Sequence, residues 1–270
     1  MSDALEPLLY LQSHGDEHRK SSQHSPSIVL LHGLFGSGDN LAVIRRHFEA
    51  DYHVVSIDLP DHGKSPRTQH FSFDDWAQLL ITTMTHHDIT QCFFIAHSLG
   101  GKIAMRAASL APEMFIKVII MDIAPVAYEP RHHNVINGLS AVKLAQLNSR
   151  QEALAQLSEH VVDSGTRSFL MKSLYQDNDQ QWQWRFNLEL LVRDYPILSD
   201  WPFSGKLFDG DITFIKGKKS DYITSEHQAA IIAQFPNAKA RIVDAGHWLH
   251  AEKPQLVNTS LTRILLGRQK

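Results

Sequence analysis

The chain has 270 residues, 43% of them hydrophobic, and a formal net charge of −3 at pH 7. That length and apolar content suffice for one large core, and the near-neutral balance, with no block of Lys or Arg, argues against a nucleic-acid partner. No apolar stretch is long enough to span a bilayer, and residues 1–6 lack the basic-then-apolar pattern of a secretory or transit signal.

Residues 8–11 read as an edge strand, followed by a polar stretch through residue 27 expected to be a hairpin or mobile loop. The run 28–31 reads as a buried strand. It enters the glycine-rich loop 32–38, after which 40–48 reads as a helix. The glycine spacing fits neither G-x-G-x-x-G nor a P-loop, so the better physical use is an oxyanion site in which the Leu34 N–H is one donor. Residues 53–58 form the next strand, and the loop after it carries Asp58, Asp61 and His62, expected to serve turn structure. An amphipathic helix follows over 73–86.

The stretch around Ser98 organises the rest. Residues 92–96 are short, apolar and partly β-branched or aromatic, as in a strand of a parallel sheet, and residues 100–108 form a helix of small residues. Between them stands Ala96-His97-Ser98-Leu99-Gly100, a nucleophile elbow in which alanine replaces the first glycine of G-x-S-x-G. Ser98 is thus the candidate nucleophile, and the Leu99 N–H, at the head of the helix, the second oxyanion donor. Cys92, the single cysteine, has no internal disulfide partner, which suits a reducing, cytoplasmic location.

Residues 117–122 read as another buried strand with Asp122 at its carboxyl end, the edge at which ligands sit in open parallel sheets. Strand–helix alternation then lapses. Helices are expected over 134–147, from a Ser149–Glu152 capping box, over 166–174 and over 188–194. We therefore expect a core of residues 1–126 and 209–270, with residues 127–208 inserted as a helical lid whose aromatics, Trp182, Trp184, Phe186, Trp201 and Phe203, are candidates for an acyl pocket. Alternation resumes with a strand at 212–215, a loop at 216–221, a helix at 225–235, a strand at 240–243 and a final helix at 254–266. His247 follows the last strand on a glycine turn, giving the order Ser, acid, His. The 17 histidines show no metal-ligand spacing, and surface positions are the default expectation.

Taken with the elbow, the motifs HGLFGSGDN (32–40), DLPDHGKSP (58–66), MDIAP (121–125), WRFN (184–187) and GHWLHAEKP (246–254) resemble α/β-hydrolases of the YbfF-type esterase subgroup over nearly the whole chain. The resemblance implies an α/β-hydrolase fold, with a mostly parallel central sheet, helices on both faces and an inserted lid. It implies a serine esterase that needs no cofactor, with Ser98 as nucleophile, His247 as base, and Leu34 and Leu99 as oxyanion donors; Phe35, Trp184 and Trp248 are candidate substrate-pocket residues. Two acids compete for the third position. In most α/β-hydrolases it follows the strand matching 212–215, where the slot holds Ser220 with Asp221 beside it; in the subgroup it ends the earlier strand, here Asp122. Asp122 is favoured, with Ser220 as an auxiliary hydrogen-bond partner.

The expected partner is a small acyl ester or acyl thioester. Acyl-CoA thioesterase, lactonase, C–C hydrolase and perhydrolase chemistries share this scaffold, and a non-catalytic ligand-binding homologue is the reading from another class.

Overall fold

Strands form where the apolar runs are dense and helices where the apolar period lengthens, and their order sets one edge of a sheet apart. The computed structural model describes residues 7–15 and 26–267, so most of the polar stretch preceding residue 27 lies outside the described residues. Seven strands make the main sheet: β1 (Leu11–His14), β2 (Ser27–Leu31), β3 (Val54–Ile57), β4 (Cys92–His97), β5 (Phe115–Met121), β8 (Ile212–Gly217) and β9 (Lys239–Val243). They lie in the order β1-β3-β2-β4-β5-β8-β9, and all pairs are parallel except β1 with β3. The edge strand starts three residues later than expected. The Leu9 and Tyr10 N–H groups donate to Thr83 Oγ1 (3.0 Å) and Ser65 Oγ (2.9 Å) instead of to a neighbouring strand.

Because successive side chains alternate across a strand, each strand feeds two cores. Val29, Leu31, Phe94, Val118 and Ile120 pack on one face with α2 (Phe73–His86) and α3 (Leu99–Leu110). Ile28, Leu30, Ile95, Ile119 and Met121 pack on the other with α1 (Ala42–Phe48) and α11 (Pro254–Leu265). The start of α2 is fixed by Ser72, whose hydroxyl accepts the Asp75 N–H, with Asp74 and Asp75 in the first turn favouring the helix N-terminus.

Between β5 and β8 the chain builds α4 (His133–Ala141), α5 (Arg150–Ser158), α6 (Ser164–Met171), α7 (Leu188–Arg193) and α8 (Tyr195–Ser199). A two-stranded hairpin, β6 (Leu174–Gln176) with β7 (Trp182–Trp184), replaces the helix end and loop expected there. Ser149 caps α5 through the Glu152 N–H, but the Glu152 carboxylate returns to the Asn148 N–H, one residue before the cap. This inserted segment is tied to the core by Lys102, whose Nζ donates to the carbonyls of Ser199 (2.9 Å) and Asp200 (2.7 Å). The remaining helices, α9 (Gln228–Gln234) and the short α10 (Leu249–Glu252), follow β8 and β9. Among the described residues no helix is long and apolar enough to cross a membrane.

The start of α3 comes close against the end of β2. A Cβ on Gly100 would lie 2.3 Å from the His32 carbonyl oxygen and 2.9 Å from that of Leu31. Gly100→Ala is therefore expected to lower stability by about 1–3 kcal/mol, the usual range for overpacking, measured as a reduced urea midpoint at unchanged slope.

Candidate active site

The turn from β4 into α3 holds Ser98 at φ 52° and ψ −123°, a conformation that a residue with a side chain adopts only under constraint. The constraints are local. The Ser98 N–H donates to the Met121 carbonyl (3.0 Å), and the Ser98 carbonyl accepts the Gly101 N–H (2.7 Å). Ala96, in place of the elbow's first glycine, sits wholly buried in the ladder between Leu31 and Ile120.

His247 reaches this turn from the far side of the sheet. Its loop crosses the end of β8, where a Cβ on Gly217 would stand 2.3 Å from the Gly246 carbonyl oxygen, so only glycine lets it pass. The Ser98 hydroxyl then lies 3.1 Å from His247 Nε2, and His247 Nδ1–H donates to Asp122 Oδ2 at 2.8 Å. Asp122 is fully buried. It also accepts the Gly217 N–H at 2.8 Å and the Ser220 hydroxyl. Asp221 lies apart from this group: its side chain is 76% exposed and pairs with Arg131 at 2.9 Å. The backbone turns outward after Ser220, which leaves the serine facing Asp122 and the next carboxylate facing solvent.

Leu34, just beyond the end of β2, and Leu99, the first residue of α3, border a narrow cavity of about 40 Å³ beside Ser98. Among the described residues neither N–H has a hydrogen-bond acceptor. A larger cavity of about 220 Å³ also opens on Ser98, walled by Phe35 and Trp248 together with Val135, Phe169 and Leu170 of the inserted segment.

Trp184 is a correction: it is 3% exposed, stacks on Phe186 at 5.5 Å and lines neither cavity. Trp182, Phe186, Trp201 and Phe203 are absent from both linings as well. They serve packing, as in the contact of Trp201 with Phe73 and its Nε1–H bond to Gln234 Oε1.

Sequence reasoning missed Tyr222 and His132. The Tyr222 ring stacks on His247 with centroids 3.9 Å apart, and its hydroxyl bonds His132 Nε2 at 3.0 Å, while His132 Nδ1 bonds the Tyr195 hydroxyl at 2.6 Å. Position alone gave a signal for Tyr222, which follows β8 at the same sheet edge as Asp122.

The histidines depart from the expected surface role. His32, His53, His62, His97 and His250 are buried. Burial lowers His32 and His132 to about 4 and His62 and His250 to about 3, and holds His97 well below the ordinary range, with neighbouring imidazoles adding to the effect at His62, His97, His132 and His250. These rings are neutral at pH 7. His97 Nε2–H donates to the His247 carbonyl at 2.9 Å. Among the described residues no cluster of three or more His, Cys, Asp or Glu side chains is arranged to hold a metal ion.

A central parallel sheet carrying a serine elbow, a histidine beyond the last strand and a buried acid between them is the arrangement of an α/β hydrolase. Residues 28–259 match the Alpha/beta hydrolase family, and the chain belongs to it. It is similar to Esterase YbfF of Escherichia coli (strain K12), with 37% identity over 247 residues that cover 90% of this chain and 95% of that protein. It is also similar to the sn-1-specific diacylglycerol lipase ABHD11 of Mus musculus, with 32% identity covering 89% of this chain and 81% of that protein. A solved structure described as a marine microorganism esterase superposes with a TM-score of 0.89 at 28% identity, covering 96% of this chain and 99% of that one.

The buried neutral histidines set a pH dependence of stability. Each has a folded-state pKa below its unfolded value of about 6.5, so between that value and about 3–4 the unfolded chain binds more protons. Stability is present in full above pH 6.5 and falls as pH drops through this window, by at most about 1.4 kcal/mol per pH unit for each such group. Urea midpoints measured from pH 7 to pH 4.5 are expected to decline, and less steeply in His132→Gln.

Proposed function

We propose that this chain is a serine esterase acting on carboxylic esters through an acyl-enzyme. The observation that carries the reading is the continuous hydrogen-bond path from the Ser98 hydroxyl to His247 (3.1 Å) and on to the fully buried Asp122 (2.8 Å). The esterase and lipase names of the relatives supply the reaction class.

In the first half-reaction His247 Nε2 takes the Ser98 proton as Oγ bonds to the ester carbonyl carbon. The carbonyl oxygen gains negative charge, which the N–H groups of Leu34 and Leu99 receive. His247 then protonates the departing alkoxide oxygen, and the alcohol leaves. In the second half-reaction water adds to the acyl carbon, its proton passes to His247, and collapse returns that proton to Ser98 and releases the acid. Asp122 holds the imidazole as its Nδ1–H tautomer and stabilises the imidazolium, while the Ser220 hydroxyl and Gly217 N–H keep the carboxylate aimed. On this reading residues 127–208 are a lid over the carboxyl edge of the sheet. The larger cavity, with Phe35, Phe169, Leu170 and Trp248, takes the hydrocarbon part of the substrate.

Ser98→Ala is expected to abolish both the hydrolysis of p-nitrophenyl esters and labelling by a serine-directed phosphonate; undiminished turnover would remove the reading. Asp122→Asn is expected to lower kcat by about 10⁴-fold in a folded protein, the scale seen when a triad histidine is left in the wrong tautomer. Asp221→Asn should stay within about twofold, since Asp221 is exposed and paired with Arg131. The reverse pattern would move the acid to Asp221.

A further inference from the structure

Two buried histidines that the reaction does not use face each other across the loops that follow β2 and β3. The His32 and His62 rings lie 5.3 Å apart, each about 1% exposed. Their bonds are reciprocal. His32, on the first loop, accepts the Leu59 N–H of the second at Nε2 (3.0 Å). His62, on the second, accepts the Phe35 N–H of the first at Nε2 (3.1 Å). Each ring's other nitrogen meets a carbonyl of its own loop at 2.8 Å, Gly33 for His32 and Pro60 for His62. A carbonyl cannot donate and an amide N–H cannot accept, so both rings are fixed as the neutral Nδ1–H tautomer.

We propose that His32 and His62 are positioning residues that form a clasp between the two loops and aim the Leu34 N–H at the oxyanion, an inference that rests on the reading of Leu34 as an oxyanion donor. The Gly33 carbonyl and the Leu34 N–H belong to one planar trans peptide and point in opposite directions. Holding the carbonyl with His32 Nδ1–H, and with the Gly36 N–H at 3.0 Å, therefore directs the Leu34 N–H the other way. The next peptide plane, between Leu34 and Phe35, is held by His62 through the Phe35 N–H. With both flanking planes fixed, neither φ nor ψ of Leu34 is free. The clasp has something to hold, because Phe35 sits at φ 62°, where a side chain is disfavoured. Its carbonyl is held in turn by the Ser173 hydroxyl of the inserted segment (3.0 Å).

The surroundings keep the clasp neutral at working pH. Asp58, the carboxylate nearest His32 at 3.9 Å, is occupied by the Gly38 and Lys64 N–H groups. Asp61, beside His62, is occupied by Thr68 and by the Asn187 side-chain amide (2.8 Å). His97 is the other imidazole near His32, and from α2 the neutral Trp76 ring packs against His62. A proton added at either Nε2 would set two N–H donors against each other and open the clasp.

The test separates aim from folding. His62→Asn keeps an amide at the Nδ1 position but reaches no further, so it loses the acceptor for the Phe35 N–H. His62→Gln places an oxygen where Nε2 stands. We expect His62→Asn to lower kcat on p-nitrophenyl esters by about 10–100-fold, part of the loss that follows removal of an oxyanion donor, with KM within about twofold. We expect the Ki of a trifluoromethyl ketone, which forms a tetrahedral oxyanion adduct with the serine, to rise by the same factor. His62→Gln should restore both to within about threefold of wild type. Unchanged kcat and Ki in His62→Asn would overturn the clasp, as would a lower kcat with unchanged Ki, which reports only lost folded protein. Failure of His62→Gln to recover either quantity would overturn it too. If instead Ser98→Ala stays active, or the phosphonate does not label the wild type, the underlying esterase reading fails whatever the His62 variants do.

Discussion

A carboxylate with no exposure to water is the constraint on which this molecule's working edge depends. Taking Asp122 out of solvent carries a penalty of several kcal/mol unless its oxygens find donors, and the donors come from three places: the last residue of β8, the loop that follows it, and the loop beyond β9. Satisfying one charge therefore sets the position of three segments. Sheet order makes this feasible, since β5 and β8 are neighbours and the Asp122 N–H continues their ladder to the Ile215 carbonyl at 2.9 Å. The loop carrying His247 needs one thing more, clearance over the end of β8, which Gly217 provides.

A similar arrangement operates on the other side of Ser98. Gly100 lets α3 come against the His32 and Leu31 carbonyls, and that contact brings the loop after β2 to the serine. From there the loop is held by the His32 and His62 imidazoles and by Ser173. The inserted segment is thus bonded to the loop next to Ser98, and a change in its packing has a direct route to the Phe35–Gly36 peptide.

Much of this was legible in the sequence, for a physical reason. Strands buried on both faces must be apolar runs, so β2, β3, β4, β5 and β8 announce themselves, and the residues ending those runs share an edge once the sheet is parallel. Ser98 and Asp122 could be named as candidates on that argument, and His247 from the glycine turn after the last strand. The choice between Asp122 and Asp221 could not be made from spacing, because it turns on whether the chain bends before or after Ser220. The insertion was least legible. Its hairpin has strands of three residues, too short to display a period, and its helices α7 and α8 are six and five residues long. Trp184 illustrates the limit: an aromatic in a lid reads equally as pocket wall or core, and here a parallel ring, Phe186, occupies its face.

Asp221 is not idle for being away from His247. The Arg131 guanidinium lies 4.7 Å from the centre of the Tyr222 ring, the ring on which the His247 imidazole stacks. The guanidinium brings a positive charge to that ring. Asp221 meets that charge at 2.9 Å, while His97, His132 and His250, the imidazoles nearest the site, are held neutral by burial. The His247 imidazole thus has a buried carboxylate at its Nδ1 and an aromatic face beside it. The two acids that compete in the sequence thus have different partners. Asp122 bonds the imidazole itself, and Asp221 bonds the guanidinium that lies against the ring on which that imidazole stacks.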